Sequence, residues 1–329
     1  MAAVDTEQLA AQVLDGERRA LARAITLIES SRAADRPGAN QLLEQLVPHS
    51  GASMRIGVSG VPGVGKSTFI ESLGNFLVDK GHKVAVLAVD PSSAISGGSI
   101  LGDKTRMELL SRRPEAFIRP SPAGETLGGV ARRTRETMLI AEAAGYDTVL
   151  IETVGVGQSE TTVSRMTDMF LLMLLPAGGD ELQGIKRGIV ELADLILVNK
   201  ADGDLKLAAE RSVADYRKAT AFLAPRQDDW QVPVEPYSAL EGAGLENVWE
   251  IVTAFKAQRK ASGQFDRSRA AQSVKWMWAE INGRLVDRLK ADPQVSARIA
   301  ELEAGVRDNM ISPTTAADEL IDIFVRRSD

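Results

Sequence analysis

MRIGVSGVPGVGKSTFIESLG, residues 54–74, is the stretch that decides the fold. Met54–Ser59 is a short apolar run of the kind that forms a buried strand, and from Ser67 onward apolar residues recur at helical spacing. Between them Gly60, Val61, Pro62, Gly63, Val64, Gly65, Lys66 and Ser67 fit the pattern G-x-x-x-x-G-K-[ST]. A strand that feeds a glycine-rich turn and then a helix aims main-chain N–H groups and the positive helix end at one point. Glycines let that backbone wrap closely round an anion. Lys66 is placed to reach β- and γ-phosphate oxygens, Ser67 to offer its hydroxyl to Mg²⁺, and Thr68 to lie near the α-phosphate. The alternative is a glycine turn that binds nothing; the strand before it and the helix after it argue against that.

Working outward, the same texture recurs. Apolar runs fall at residues 83–89 (KVAVLAV), 148–152 (TVLIE), 169–175 (MFLLMLL) and 195–199 (LILVN), with a shorter one at 232–237 (VPVEPY). Near-continuous runs of this kind mark strands covered on both faces, as in a parallel sheet. Segments such as STFIESLGNFLVDKG and TRETMLIAEAAGY read as the crossover helices. The expected fold class is α/β, a P-loop NTPase with a mostly parallel sheet flanked by helices, over residues 51–262.

Residues 1–50 read as an N-terminal helical segment, with Leu14, Leu21, Ile25 and Ile28 at helical spacing. Arg36-Pro37-Gly38 is expected to break it, with Asn40 capping a second short helix. Residues 263–329 hold no convincing strand and read as a C-terminal helical arm. Trp276, Trp278, Ile281, Leu285 and Leu289 share or border one helical face, Pro293 opens a second helix, and Pro313 opens a third with Ser312 as its cap. An apolar face on such an arm needs cover. A second copy of the chain is the economical one; packing back onto its own α/β domain is the alternative.

Composition removes whole classes of function. Across 329 residues, 39 Lys and Arg stand against 45 Asp and Glu, a net charge of −6. That balance argues against a partner nucleic acid or an anionic membrane, since both need a basic surface. With no cysteine, disulfides, thiolate catalysis, Fe–S clusters and cysteine-based zinc sites are excluded. Two histidines, His49 and His82, leave little room for a histidine metal cage or a Ser-His-Asp hydrolase. The apolar run from Met169 to Ala177 falls far short of the roughly 20 residues a bilayer demands. Asp5, Glu7, Asp15 and Glu17 sit where a targeting peptide would avoid acids, so a cytoplasmic protein is expected.

Two further clusters refine the phosphate reading. Asn199, Lys200 and Asp202 form N-K-x-D at the end of an apolar run. A carboxylate there accepts from the N1–H and exocyclic amino donors of guanine, whereas adenine would leave it unpaired at a cost of a few kcal/mol. Ser238, Ala239 and Leu240 follow the last run and match an accessory base loop, whose backbone N–H would meet guanine O6. On the metal side, Glu152 ends a strand three residues before Gly155, an E-x-x-G element suited to Mg²⁺ held directly or through water. Asp90 ends another run at the carboxyl edge of the sheet, where ligands of open α/β sheets bind. Asp103 lies on a glycine-rich loop, and Arg106 could neutralise phosphate charge if that loop closes. Each of these acids could instead be a helix cap or a solvated turn. Gln158 lies two residues too far along to be assigned as the water-positioning glutamine, and Arg132, Arg133 and Arg135 read as a solvated helix face.

With these residues in hand, the chain resembles the MeaB/ArgK family, whose human relative is the methylmalonic aciduria type A protein. The resemblance covers essentially the whole chain. It is carried by GVSGVPGVGKSTFIESLG (57–74), VAVLAVDPSSAISGGSILGDKTRM (84–107), IETVGVGQSE (151–160), NKADGD (199–204) and SALEGAGL (238–245). It implies a P-loop GTPase of low intrinsic rate that binds GTP, GDP and Mg²⁺. It also implies a chaperone of adenosylcobalamin-dependent methylmalonyl-CoA mutase, coupling hydrolysis to cofactor loading, protection and reactivation. Self-association through the C-terminal arm is implied as well, and a cobalamin adenosyltransferase as a further partner. PAGGDELQGIKRG (176–188) looks like the family's additional switch, with Asp180, Glu181 and Lys186 relaying partner contact. The residues by themselves show only two glycines and mixed charge after a buried run, which an ordinary connector would share.

Two other classes compete. A nickel-insertion GTPase would need Cys and His to hold the metal, and this chain has almost none. A small-molecule (arginine) kinase or transport ATPase has no use for a guanine-selecting carboxylate at Asp202.

Overall fold

Each of the apolar runs forms a strand, and every strand pair is parallel. The computed structural model describes residues 5–30, 32–89, 107–120, 127–153, 159–176, 187–221 and 230–326. Its strands are β1 (Met54–Gly60), β2 (Val84–Val89), β3 (Ala116–Arg119), β4 (Thr148–Thr153), β5 (Met169–Leu174), β6 (Leu195–Val198) and β7 (Val234–Pro236). They lie in the order β3-β2-β4-β1-β5-β6-β7. All residues of β1, β2, β4, β5 and β6 are buried. That explains why they read as unbroken apolar runs rather than as alternating ones. β3 was not among the expected strands. It holds four residues, AFIR, at the sheet edge, too few to give a periodic signal.

The helices follow in chain order. α1 (Thr6–Leu14), α2 (Arg18–Ile28) and α3 (Arg36–Leu46) precede the sheet. α4 (Lys66–Asp79), α5 (Glu108–Ser111), α6 (Leu127–Ala143), α7 (Ser159–Ser164), α8 (Arg187–Val190), α9 (Lys206–Ala221) and α10 (Leu245–Ala261) are interleaved with it. α11 (Gln264–Ala291), α12 (Pro293–Arg307) and α13 (Pro313–Val325) close the chain. Asp5 caps α1 by accepting from the Gln8 N–H at 3.0 Å. Leu21, Ile25 and Ile28 are buried as their spacing required, while Leu14 stays exposed.

One expectation fails here. Arg36-Pro37-Gly38 does not break a helix but starts one: α3 begins at Arg36 with Pro37 in its first turn. Proline is harmless there because its missing N–H would have had no intrahelical partner. Asn40 therefore lies inside α3 and caps nothing.

β1 is the centre of the sheet, with the chain running outward to β2 and β3 on one side and β5 to β7 on the other. Residues 61–65 leave the carboxyl end of β1 at that centre, on the edge where open α/β sheets bind ligands. The opposite edge is closed by a buried ionic network. Glu142 of α6 accepts from Arg55 Nε at 2.7 Å and Nη2 at 2.8 Å, from the Gly51 N–H at 2.8 Å, and from the Ser53 hydroxyl. Arg269 donates to both oxygens of Asp168, at 2.8 and 2.6 Å, and to the carbonyls of Gly51 and Ser53. Burial by itself would raise the Glu142 pKa. The Arg55 hydrogen bonds and charge, with help from Ser53 and Arg269, prevail and hold it below its ordinary value.

The chain divides into two compact units, residues 1–269 and 270–329, with the division inside α11. Within the second unit α12 and α13 pair around Val295, Leu302 and Ala316. Asp292 caps α12, and Ser312 caps α13 by accepting from the Thr315 N–H at 3.0 Å. Along α11 of this unit Val274, Met277, Trp278, Leu285 and Val286 are exposed. Among the described residues no helix is long and apolar enough to cross a membrane.

Candidate nucleotide site

The phosphate loop leaves β1 at Gly60 and enters α4 at Lys66. Its backbone needs glycine at two places for different reasons. Gly65 has φ 99°, and a Cβ there would lie 2.5 Å from Asn199 Nδ2; at Gly60 a Cβ would lie 2.4 Å from the Met173 carbonyl oxygen. The first is a left-handed residue pressed against a side chain, the second a strand end pressed against the backbone of β5. Val64 points inward and is fully buried, while Pro62, Gly63 and Thr68 face solvent. The Lys66 ammonium folds back over the loop, donating to the Gly60 carbonyl at 2.7 Å and the Val61 carbonyl at 3.3 Å. A polyphosphate entering the loop would take over those two bonds, exchanging carbonyl acceptors for anionic ones.

On the metal side, Ser67 donates to Glu152 Oε1 at 2.9 Å. Ser67 comes from the first turn of α4 and Glu152 from the next-to-last position of β4, which lies beside β1 with Glu152 opposite Val58. The carboxylate is buried, at 5% exposure. A hydroxyl and a carboxylate at this spacing form an all-oxygen donor pair. Such a pair suits Mg²⁺, which takes few protein ligands and completes its shell with phosphate oxygens and water. Among the described residues no group of three or more His, Asp or Glu is placed to hold a metal ion. Asp90, Asp103 and Arg106 lie outside the described residues, as do Gly155, Gln158, Asp180, Glu181 and Lys186.

The base side is built from the ends of β6 and β7. Lys200 adopts φ 61°, a left-handed turn unusual for a lysine. That turn follows Asn199 and precedes Asp202. Asn199 is buried; its Nδ2 donates to the Val64 carbonyl at 2.6 Å and its Oδ1 accepts from the Ala239 N–H at 3.0 Å. The Ser238 hydroxyl donates to Asp202 Oδ2, and Ser238 Oγ accepts from the Glu241 N–H at 3.1 Å. The Ala201 N–H donates to the Tyr237 carbonyl at 3.0 Å, so the two loops are also joined through their backbones. Phe69 of α4 meets the Tyr237 ring edge-on at 5.1 Å, and burial pushes the Tyr237 hydroxyl up to about 12. Leu240 stands almost fully exposed beside this cluster.

The glycine-rich loop, the Ser67–Glu152 pair and the loops after β6 and β7 thus share one edge of the sheet. Within the described residues the structure brings Gly60–Thr68, Glu152, Asn199–Asp202 and Ser238–Leu240 together. Two residues that the sequence reading did not single out also belong to this edge. Thr153, after Glu152, and Ser59, before Gly60, join their hydroxyls at 3.0 Å. Their sequence signal is a polar residue at the end of an otherwise apolar strand.

A family model described as methylmalonyl Co-A mutase-associated GTPase MeaB matches residues 21–294. The mouse protein named methylmalonic aciduria type A homolog, mitochondrial, is 46% identical over 98% of this chain and 80% of its own length. The Escherichia coli GTPase ArgK is 46% identical over 94% of this chain and 93% of its own. A solved crystal structure described as a LAO/AO transport system kinase superposes with a TM-score of 0.77. It is 37% identical and covers 98% of this chain and 99% of that one.

Proposed function

Because the chain belongs to the methylmalonyl Co-A mutase-associated GTPase family, MeaB, and is a P-loop GTPase, we propose that it acts as a chaperone of the adenosylcobalamin-dependent methylmalonyl-CoA mutase. On this reading, GTP binding and hydrolysis are coupled to cofactor loading, protection and reactivation of that enzyme. The observation that carries the nucleotide half is the Asn199 bridge from Val64 to Ala239. It sets Asp202 and the Ser238 loop at a fixed distance from the phosphate loop, which is the layout a guanosine polyphosphate needs.

In this proposal Gly60–Thr68 cradle the phosphates, Lys66 meets the β- and γ-phosphates, and Asp202 selects the base. Ser67 and Glu152 would hold Mg²⁺, with Asp90 and Asp103 as further oxygen donors. The ion supplies charge neutralisation on the phosphate oxygens when bound. Arg106 would add positive charge from its loop. The division of labour follows the sequence boundaries, with helical residues 1–50, GTPase residues 51–262 and an arm at 263–329 that pairs two chains. Supporting the last part, Trp278 and Leu285 are half exposed on α11.

The test is GTP turnover by the full chain with and without methylmalonyl-CoA mutase, paired with co-elution of the two proteins on size exclusion. Turnover should rise with mutase, and the two should elute together. Phosphorylation of free arginine, or ATP competing equally with GTP, would overturn the reading in favour of a kinase or transport ATPase.

A further inference from the structure

Thr153 is the last residue of β4, and its hydroxyl donates to Ser59 Oγ at 3.0 Å, with the Val58 carbonyl a weaker second acceptor at 3.5 Å. Neither side chain reaches solvent: Thr153 is 0% and Ser59 1% exposed. On the other side Thr153 is paired through its backbone with Val89 of β2. On the β1 side the backbone ladder stops one residue earlier, with Val58 opposite Glu152. The hydroxyl pair therefore ties β4 to β1 one step beyond the last rung, where β1 turns into the phosphate loop at Gly60.

Its chain neighbours carry the site. Glu152 precedes Thr153 and accepts from Ser67. Gly60 follows Ser59, and its carbonyl holds Lys66. Stability alone does not explain two hydroxyls in this place. Ile151, two residues before Thr153 in β4, and Val58, just before Ser59 in β1, are buried and apolar, and an apolar pair of the same shape as the two hydroxyl residues would be nearly neutral. A hydroxyl pair adds what an apolar contact lacks, a fixed direction and separation.

We infer that Thr153 and Ser59 are positioning residues for GTP hydrolysis, locking the end of β4 to the start of the phosphate loop so that Glu152 and Ser67 present their oxygens to one Mg²⁺ ion. The inference rests on the reading of Glu152 and Ser67 as the metal pair. Both hydroxyls are buried against each other, and on this inference the two residues act through Glu152.

The experiment uses the full chain and a fluorescent GDP, N-methylanthraniloyl-GDP, whose release is timed in excess Mg²⁺ and in EDTA. GTP turnover is followed in parallel against Mg²⁺ concentration. Wild type should release GDP more slowly with Mg²⁺. Thr153→Val, which keeps the shape and removes the hydroxyl, should shrink that Mg²⁺ effect and raise the Mg²⁺ needed for half-maximal turnover, each about tenfold, as loss of an outer-shell support does. Release in EDTA should stay unchanged. Thr153→Ser should restore wild-type behaviour, and Thr153→Val combined with Ser59→Ala should be no worse than Thr153→Val alone.

An unchanged Mg²⁺ effect in Thr153→Val would overturn the inference. So would Thr153→Ser failing as badly as Thr153→Val, or release in EDTA speeding up as much as release in Mg²⁺. Should Thr153→Val fail to fold, Ser59→Ala carries the same expectations at a smaller change of volume. If wild type ignores Mg²⁺ altogether, the metal pair itself is refuted and this inference goes with it. A Mg²⁺-sensitive wild type beside a Mg²⁺-sensitive Thr153→Val refutes the inference and leaves the metal pair standing.

Discussion

Asn199 Nδ2 donates to the carbonyl oxygen of Val64 at 2.6 Å, across 135 residues of chain. Through its other amide atom the same side chain holds the Ala239 N–H, so one buried residue sets the span between the phosphate loop and the base loop. The Gly65 constraint comes from this contact as well, because a Cβ at Gly65 would strike the Asn199 amide.

Asn199→Ala should weaken GDP and GTP alike. Two hydrogen bonds are lost, and the Val64 carbonyl is left buried without that partner, together about 2–3 kcal/mol. That corresponds to a fall in affinity on the order of 30- to 150-fold. Equilibrium titration with both nucleotides checks it. Loss of one nucleotide alone would contradict a role in setting the span, since the span is common to both.

Asp202→Asn should exchange base preference. The carboxylate accepts from both guanine donors. An amide in its place turns an N–H₂ toward the guanine amino group, and GTP affinity should fall on the order of 100-fold. Xanthosine triphosphate carries a carbonyl at that position and should gain affinity. Ser238 can still donate to the remaining amide oxygen, so the loop keeps its anchor. Competition between the two nucleotides on the purified variant reads the exchange directly.

What the sequence disclosed and what it hid have a common physical basis. Gly60–Ser67, Asn199–Asp202 and Ser238–Leu240 could be singled out because each is a contiguous turn following a strand, and Glu152 because a carboxylate stands at the end of an otherwise apolar run. Local chemistry there already constrains the residue types. The strands of the sheet interior were legible because both faces are covered, which leaves an unbroken apolar run. β3 was not, since four residues at an edge carry too little periodicity, and α3 was misread because proline in a first turn looks like a breaker. The network of Arg55, Glu142, Asp168 and Arg269 left no trace, because its partners stand 87 to 127 residues apart. An arginine in a strand and a glutamate in a helix become meaningful only once the sheet has closed.

That network should make stability acid-sensitive in a defined way. The Glu142 pKa is depressed below its ordinary 4.5. The carboxylate therefore contributes stability that is fully present above the unfolded-state value and is lost as pH falls through the lower folded value. Glu142→Gln should cost about 3 kcal/mol near neutral pH, because the buried Arg55 loses its counter-charge. The gap between wild type and variant should narrow below pH of about 4.5. Thermal unfolding of both proteins from pH 7 down to pH 3 measures it. A gap that stays constant over that range would show that the charge of Glu142 contributes nothing.

The pairing proposed for the arm should be broken by charge at the exposed face of α11. Val274, Trp278 and Leu285 fall at intervals of four and seven residues, so they line one side of the helix, and each is about half exposed. A tryptophan held against water forgoes a large hydrophobic gain, and covering it would contribute about 2 kcal/mol per chain. In a symmetric pair the same substitution strikes both copies, so its effect is doubled. Trp278→Glu should therefore convert a dimer to a monomer at micromolar concentration. GTP affinity should be unaltered, because Trp278 lies in the second unit and the nucleotide site in the first. Sedimentation equilibrium of wild type and variant, with nucleotide titration alongside, decides the matter. A wild type already at the monomer mass of 35.3 kDa would remove the pairing, and a variant that stays dimeric would move the contact elsewhere.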